Sequence, residues 1–258
     1  MLRWDALGET RVSFGATSGD DLASACAALH ACTVPLVVHD YQRAAVLGTA
    51  TLLLAAGRPL LLTAAHVLAG GARLGNILVP AVSGHGLVPL AGARVQCSEH
   101  ADIAVIDMCG VDGVGRILLG RVPAPVPRAS ARRRRKRPSR RDAPVLLSGY
   151  PAALSRFERG WLGGRRFTIA TRRHLEAHST PHRGERLFDY GRVARRADGV
   201  AIRTPELQGM SGAGIWVLDA TDEGAHGCLR LDAVQCSYMH GRFVRGHDID
   251  AVLALLQR

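Results

Sequence analysis

This sequence has almost no lysine, and its cysteines lack the spacing of a metal site. One lysine, Lys136, accompanies 32 arginines. The six cysteines include no Cys-x-x-Cys pair and no Cys/His cluster with zinc-finger spacing, so we expect neither a metal nor a cofactor. The longest apolar run, residues 46–72, is interrupted by a Gly-Arg-Pro turn and by His66. We therefore expect no membrane-spanning helix.

The first residues also lack the apolar core of a secretory signal. We therefore expect free thiols in a reducing compartment and a cytoplasmic location. The chain has 258 residues, of which 47% are hydrophobic, as is typical of a folded protein. This length allows one large domain, or two small ones that share a core.

Most of the positive charge lies in one segment. Residues 128–141 contain nine basic residues and no acid, and removing nine charges from the net +11 leaves +2 for the rest. Prolines precede this run, and the composition predicts a solvated linker over residues 121–142. The alternative is that residues 128–141 bind nucleic acid or another anionic partner through phosphate contacts. No aromatic residue is interleaved, so base stacking is not indicated.

The apolar pattern predicts an all-β, antiparallel, barrel-type architecture. Short apolar runs alternate with turn residues, and there is no βαβ alternation. A short helix is predicted at 22–30 and an amphipathic helix at 248–256. Residues 1–17 and 152–192 show no secure pattern. The predicted strands are 36–39, 46–54, 60–63, 76–80, 86–90, 93–97, 103–106, 144–150, 199–203, 215–218 and 230–238.

Three residues next to predicted strands suggest nucleophilic catalysis. His66 follows one strand, Asp102 precedes another, and Ser211 lies in the glycine-rich turn 207–214. A serine hydroxyl needs a base to remove its proton, and a carboxylate orients that base. Gly209 and Ser211 could turn their N–H groups towards a developing oxyanion. Taken singly, each residue has an ordinary alternative: a rim histidine, a turn aspartate, or a turn before a strand.

The order His, Asp, Ser along the chain, together with the surrounding sequence, resembles the trypsin-like (chymotrypsin-fold) serine peptidase family, in particular its bacterial members. The resemblance covers roughly residues 33–257 and is weak over 110–142 and 152–198. The segments that carry it are 48–54, 61–66, 100–105, 148–151 and 209–214.

This resemblance implies two six-stranded β-barrels with His66, Asp102 and Ser211 in the cleft between them. The implied organisation is an N-terminal extension (1–32), a first barrel (33–120), a linker (121–142), and a second barrel with a C-terminal helix (143–258). The implied function is a serine endopeptidase acting on polypeptides. The alternative is a catalytically silent binding module on the same scaffold, with residues 128–141 as its anion-binding segment.

The resemblance also suggests residues that contact the substrate. The family's pocket residue lies a few positions before the nucleophile. Counting back from Ser211, the resemblance places Pro205 or Glu206 at the base of the specificity pocket. Glu206 would favour a basic side chain there, or would be a rim acid. Residues 236–238, namely Cys236, Ser237 and Tyr238, are expected to form the edge strand that pairs with the substrate backbone. Met210 occupies the place of the aspartate of zymogen-activated members, so no cleavage-dependent activation is expected.

Overall fold

A computed structural model confirms the predicted all-β class, because strands predominate and helices are few. The segment 128–141 lies outside the residues that the structure describes. Within the described ranges, no helix is both long enough and apolar enough to cross a membrane. The described ranges are 3–13, 20–39, 44–69, 73–81, 86–98, 100–125, 143–174, 184–196, 198, 200–219 and 228–257.

The first half of the chain contains the predicted strands between residues 36 and 106 and the predicted first helix. Strands β2 to β9 form one sheet, in which seven strands follow the order β6-β5-β2-β3-β4-β8-β7 and β9 pairs with β3. In chain order the elements are β1 (Arg3–Ser13), α1 (Asp20–Cys32), β2 (Thr33–His39), β3 (Ala44–Ala55), β4 (Arg58–Ala64), α2 (Ala65–Ala69), β5 (Ile77–Pro80), β6 (Leu87–Pro89), β7 (Arg94–Ser98), β8 (Ile103–Asp107), α3 (Val114–Leu118) and β9 (Ala124–Pro125).

The second half supplies nine of the ten strands of the other sheet, and β1 is the tenth. Nine strands follow the order β13-β18-β17-β16-β10-β12-β1-β14-β15, and β11 pairs with β12. The predicted C-terminal helix is confirmed as α4. The elements are β10 (Val145–Gly149), β11 (Ser155–Glu158), β12 (Trp161–Thr171), β13 (Glu185–Asp189), β14 (Val193–Arg196), β15 (Ala201–Arg203), β16 (Gly214–Asp219), β17 (Cys228–Met239), β18 (Phe243–Asp248) and α4 (Ile249–Leu256).

The end of β12 also contacts β13. The N–H of His174 donates to the carbonyl of Leu187 at 2.9 Å, and the N–H of Asp189 donates to the carbonyl of Arg172 at 3.0 Å. In the second sheet, β13 is the first strand of the order and β12 lies in its middle. The two bonds therefore join strands that are not neighbours in that order.

One apolar core spans both sheets. Leu52 and Leu62 of the first sheet belong to the same buried cluster as Trp216 of the second, and all three are at most 5% exposed. Val252 of α4 packs into this cluster as well. Burial of apolar surface between the sheets therefore holds them together. The thiols of Cys26, Cys32, Cys97, Cys109 and Cys236 form no disulfide.

Strand β1 has no apolar period in the sequence and is held in place by a buried ion pair. It lies parallel to β12, where Glu9 pairs in register with Arg166. The Arg166 side chain is 4% exposed, and its Nη2 lies 2.9 Å from Glu9 Oε2. The Glu9 carboxylate also accepts hydrogen bonds from Thr168 at 2.5 Å and from Arg11 at 2.7 Å. Residues 1–32, predicted as an extension, thus contribute a strand of the second sheet.

We predict that Glu9→Gln lowers the free energy of unfolding by about 3 kcal/mol, because it leaves the Arg166 charge buried without a counter-charge. Burial raises the pKa of Glu9, but hydrogen bonds from Arg166 and Thr168 outweigh it, so the pKa lies below the usual 4.5. The stabilisation is therefore complete above pH 4.5 and is lost as the pH falls through the lowered pKa.

Urea unfolding at pH 7 measures the difference. Glu158→Gln is the control, because Glu158 is 60% exposed and faces Arg156 at 3.9 Å. Its expected cost is below about 1 kcal/mol. Equal costs for the two variants would show that the Glu9 pair does not hold β1.

Candidate active site

The pairing of β4 with β8 brings the candidate histidine and aspartate together. The two strands are antiparallel, and Ala64 at the end of β4 pairs with Ile103 at the start of β8. The next residues outward are therefore neighbours: the Ala65 N–H donates to the Asp102 carbonyl at 3.1 Å. His66 follows as the second residue of α2.

Both carboxylate oxygens of Asp102 bind His66. Oδ2 lies 2.7 Å from the ring Nδ1, and Oδ1 accepts the His66 backbone N–H at 2.8 Å. An ionised carboxylate only accepts hydrogen bonds, so Nδ1 is the protonated ring nitrogen and the lone pair is on Nε2. Asp102 adopts a φ of +46°, a left-handed conformation that aspartate tolerates better than most residues. The two contacts fix the orientation of the ring.

The aspartate also makes His66 a stronger base. The hydrogen bond to Asp102 raises the pKa of His66 above the usual 6.5, and burial opposes this rise only in part. The His66 side chain is 48% exposed and the Asp102 side chain 28%, so the pair opens to solvent. A partly exposed imidazole with its tautomer fixed can accept a proton at Nε2.

The turn that contains Ser211 is formed by two glycines in the left-handed region. Gly209 has a φ of +88° and Gly212 a φ of +92°. A Cβ at Gly209 would lie 2.7 Å from the Tyr150 carbonyl oxygen, and one at Gly212 would collide with Thr63 Oγ1. Glycine is therefore required at both positions for the turn to pack against its surroundings.

Main-chain hydrogen bonds hold Ser211 between the two sheets. The Thr49 N–H of β3 donates to the Ser211 carbonyl at 2.9 Å, and the Gly212 N–H donates to Gln235 of β17 at 2.8 Å. Thr63, three residues before His66, donates its hydroxyl to the Thr49 carbonyl at 2.8 Å. The structure thus brings the Ser211 main chain to the strands that lead to His66.

The Ser211 hydroxyl itself is unengaged. The side chain is partly exposed, and within the described part of the chain its hydroxyl makes no hydrogen bond, including none to His66. In unliganded enzymes the hydrogen bond between nucleophile and base is often long and tightens when substrate binds.

The N–H groups of Gly209 and Ser211 are available to an anion. Neither donates a hydrogen bond to another of the described residues, whereas the N–H groups of Met210, Gly212 and Ala213 all donate internally. Gly209 is buried, so an acceptor placed there would meet its N–H in a site of low polarity.

The orientation of both N–H groups follows from the carbonyl on the same peptide. In a trans peptide the C=O and N–H point in opposite directions. The Gln208 carbonyl, on the peptide of the Gly209 N–H, accepts from Ala152 at 2.6 Å. The Met210 carbonyl, on the peptide of the Ser211 N–H, accepts from Ala213 at 2.9 Å. Both candidate oxyanion donors are therefore oriented before any ligand binds.

The predicted specificity residues form a polar cluster. The Glu206 carboxylate, whose side chain is 58% exposed, accepts the Tyr238 hydroxyl at 2.5 Å and lies 3.4 Å from His240 Nδ1. The Pro205 carbonyl accepts the hydroxyl of the buried Tyr190. This arrangement is compatible with both roles predicted for Glu206, pocket acid and rim acid.

The predicted substrate-pairing segment 236–238 lies on β17, beyond the last residue that pairs with β16, Val234. Among the described residues, no strand pairs with β17 on that side over 236–238. Ser237 is exposed and Cys236 is buried. Burial raises the pKa of the Cys236 thiol to about 12, which disfavours the reactive thiolate form.

Three contributors to the site were not identified from the sequence. Thr49 binds the nucleophile turn, Ala152 orients the Gln208 peptide, and Tyr190 supports Pro205. Their partners are far away in sequence, and a main-chain N–H leaves no trace in side-chain patterns. No group of three His, Cys, Asp or Glu residues within the described ranges has the geometry of a metal site.

Two comparisons with known proteins, one with family models and one with curated sequences, gave no match. The geometry of residues 66, 102 and 209–213 therefore carries the functional argument.

We predict that Asp102→Asn lowers the pKa of His66, because it removes the negative charge on which the upward shift depends. A pH titration of the imidazole signals by NMR measures the change. Asp107→Asn is the control, because Asp107 lies at the other end of β8, where it binds Arg58. An unchanged His66 pKa in Asp102→Asn would show that the pair does not form in solution.

Proposed function

We propose that this protein is a serine endopeptidase that cleaves peptide bonds through His66, Asp102 and Ser211 and an acyl-enzyme. The observation that carries the proposal is the 2.7 Å contact between His66 Nδ1 and Asp102 Oδ2. This contact lies where β4 ends and β8 begins, in the same sheet whose strand β3 bonds the Ser211 carbonyl through Thr49. The unengaged N–H groups of Gly209 and Ser211 support it further.

The proposed reaction has two halves. His66 Nε2 takes the proton of the Ser211 hydroxyl as its oxygen attacks the scissile carbonyl, and the Gly209 and Ser211 N–H groups bind the oxyanion. The protonated His66 gives that proton to the leaving amine, which leaves an ester on Ser211. A water molecule, deprotonated by His66, then attacks the ester, and His66 returns this proton to Ser211 Oγ as the bond to the acyl group breaks and the carboxylic acid product leaves. Asp102 stabilises the imidazolium in both halves.

The proposal includes the two six-stranded barrels implied by the resemblance, with the site between them. The second barrel consists of β10, β12, β13, β16, β17 and β18, and the hydrogen bonds from the end of β12 to β13 support its closure. The first barrel consists of β5, β2, β3, β4, β8 and β7, in that order along the first sheet. Strand β6 lies outside this set, next to β5.

The turn is formed without an ion pair at position 210. The Met210 side chain is fully buried in the apolar cluster of the second sheet, beside Leu207 and Ala213. In the zymogen-activated members, an aspartate at this place pairs with a new N-terminus. An apolar anchor needs no such partner, so we propose that the site is competent without cleavage.

One observation favours a second function, a silent binding module on the same scaffold. It is the absence of a hydrogen bond between the Ser211 hydroxyl and His66 among the described residues. Such a module would bind polypeptides at the open edge of β17 without cleaving them. Its proposed anionic partner would use residues 128–141.

We predict that a fluorophosphonate probe labels the protein at one serine and that Ser211→Ala abolishes this labelling. The same change should reduce peptide hydrolysis by about 10⁴-fold or more, because no other group replaces the nucleophile. Labelling is followed by mass spectrometry, and hydrolysis with a peptide library.

Ser155→Ala is the matched control, because the partly buried Ser155 hydroxyl donates to the Pro151 carbonyl at 3.2 Å, away from the candidate site residues. It should be labelled like the wild type. A folded wild-type protein that resists labelling would support the silent module, and labelling that persists in Ser211→Ala would remove Ser211 from the reaction.

A further inference from the structure

Every polar group of Thr49 binds a part of the candidate site. The residue lies in β3 and has no exposed surface. Its N–H donates to the Ser211 carbonyl at 2.9 Å, and its carbonyl accepts the Thr63 hydroxyl at 2.8 Å. Its own hydroxyl donates to the Gly209 carbonyl at 2.8 Å and accepts the Tyr150 N–H at 3.0 Å.

The chemistry of these partners settles the direction of the hydroxyl proton. A backbone N–H can only donate and a carbonyl oxygen can only accept. Because Tyr150 donates to Thr49 Oγ1, the single hydroxyl proton is directed at the Gly209 carbonyl. The hydroxyl therefore bridges β10 and the nucleophile turn in one defined arrangement.

The bridged carbonyl lies between the two candidate oxyanion donors. Gly209 contributes its N–H to one peptide and its C=O to the next, and the Ser211 N–H belongs to the peptide after that. Fixing the Gly209 carbonyl restricts ψ of this glycine, and the bond from Ala152 to the Gln208 carbonyl holds the peptide on its other side. The bond to Tyr150 also anchors the segment from which Ala152 donates to the Gln208 carbonyl.

We propose that Thr49 is a positioning residue for the oxyanion site, which holds the Gly209 N–H towards the reacting carbonyl through its hydroxyl. This inference rests on the proposed function. Thr49 touches neither the substrate nor the reacting atoms, and it acts through Gly209 and through the segment 150–152.

A purely structural role would have a different signature, and Thr51 provides the comparison. It lies two residues further along β3, is 1% exposed, and accepts the Gly214 N–H at 3.0 Å. Gly214 begins β16, outside the peptides that carry the oxyanion donors. Removing either hydroxyl leaves a buried group unpaired, so both changes should reduce stability. Only the change at Thr49 should slow the reaction.

The experiment compares second-order labelling rates of a fluorophosphonate probe, whose phosphoryl oxygen occupies the oxyanion site, with urea unfolding of the same variants. Thr49→Val should slow labelling by about 10- to 100-fold, as expected for a misplaced oxyanion donor. Thr49→Ser, which keeps the hydroxyl, should restore the rate to within about threefold of the wild type. Thr51→Val should label at the wild-type rate although it loses stability.

Equal slowing in Thr49→Val and Thr51→Val, or no slowing in either, would overturn the inference while leaving Ser211 as the nucleophile. A wild-type protein that is not labelled would instead remove the proposed function, and this inference with it. If Thr49→Val does not fold, Thr49→Ser is compared with Thr49→Cys. These two side chains differ only in the atom that donates the hydrogen bond, because serine has an oxygen where cysteine has a sulfur, a weaker donor. Equal labelling rates in that pair would also overturn the inference.

Discussion

The hydrogen bond from the Thr49 N–H to the Ser211 carbonyl joins the two sheets at the turn that contains the candidate nucleophile. On the first sheet, the pairing of β4 with β8 brings His66 and Asp102 together. On the second, the turn is held by Gln235. Neither sheet alone supplies His66, Asp102 and Ser211. The candidate site therefore forms only where the bond between Thr49 and Ser211 joins the two sheets.

Two kinds of force act at this junction, and they have different effects. The apolar cluster that spans both sheets supplies stabilisation that depends on buried area and has little direction. The buried hydroxyls of Thr49, Thr51 and Thr63 supply direction, because each must meet a specific backbone group or remain unpaired. A small shift of one sheet along the other would preserve much of the apolar contact but would break the Thr49 and Thr51 bonds, which reach Gly209 and Gly214 on the other side. Thr49 thus holds the turn that brings Ser211 to the strands that lead to His66, whereas Thr51 holds the start of β16 against the first sheet.

Local patterns predicted the elements around the site but not what connects them. The strands before His66 and after Asp102 are short apolar runs bounded by turn residues, so their positions follow from the sequence. By contrast, the alternation expected for β12 is disturbed by Gly163, Gly164 and Arg166. Arg166 is buried only because Glu9, 157 residues away, neutralises it.

The details of the site depend on contacts of the same long range. Thr49 and Gly209 are 160 residues apart. The Ala152 N–H that orients the Gln208 peptide belongs to a stretch without any clear pattern. Residue types and their order predicted the three catalytic candidates and Gly209 as a candidate oxyanion donor, whereas the hydrogen bonds that orient the Gly209 N–H are seen only in the folded chain.

In the proposed function, Ser211, Gly209 and His66 form one preorganised reaction site. The most direct test is a crystal structure of the full chain after reaction with a fluorophosphonate. We expect phosphorus bonded to Ser211 Oγ, with its phosphoryl oxygen about 2.7–3.1 Å from the N–H nitrogens of both Gly209 and Ser211. An adduct on another residue, or a phosphoryl oxygen turned to solvent, would contradict the account.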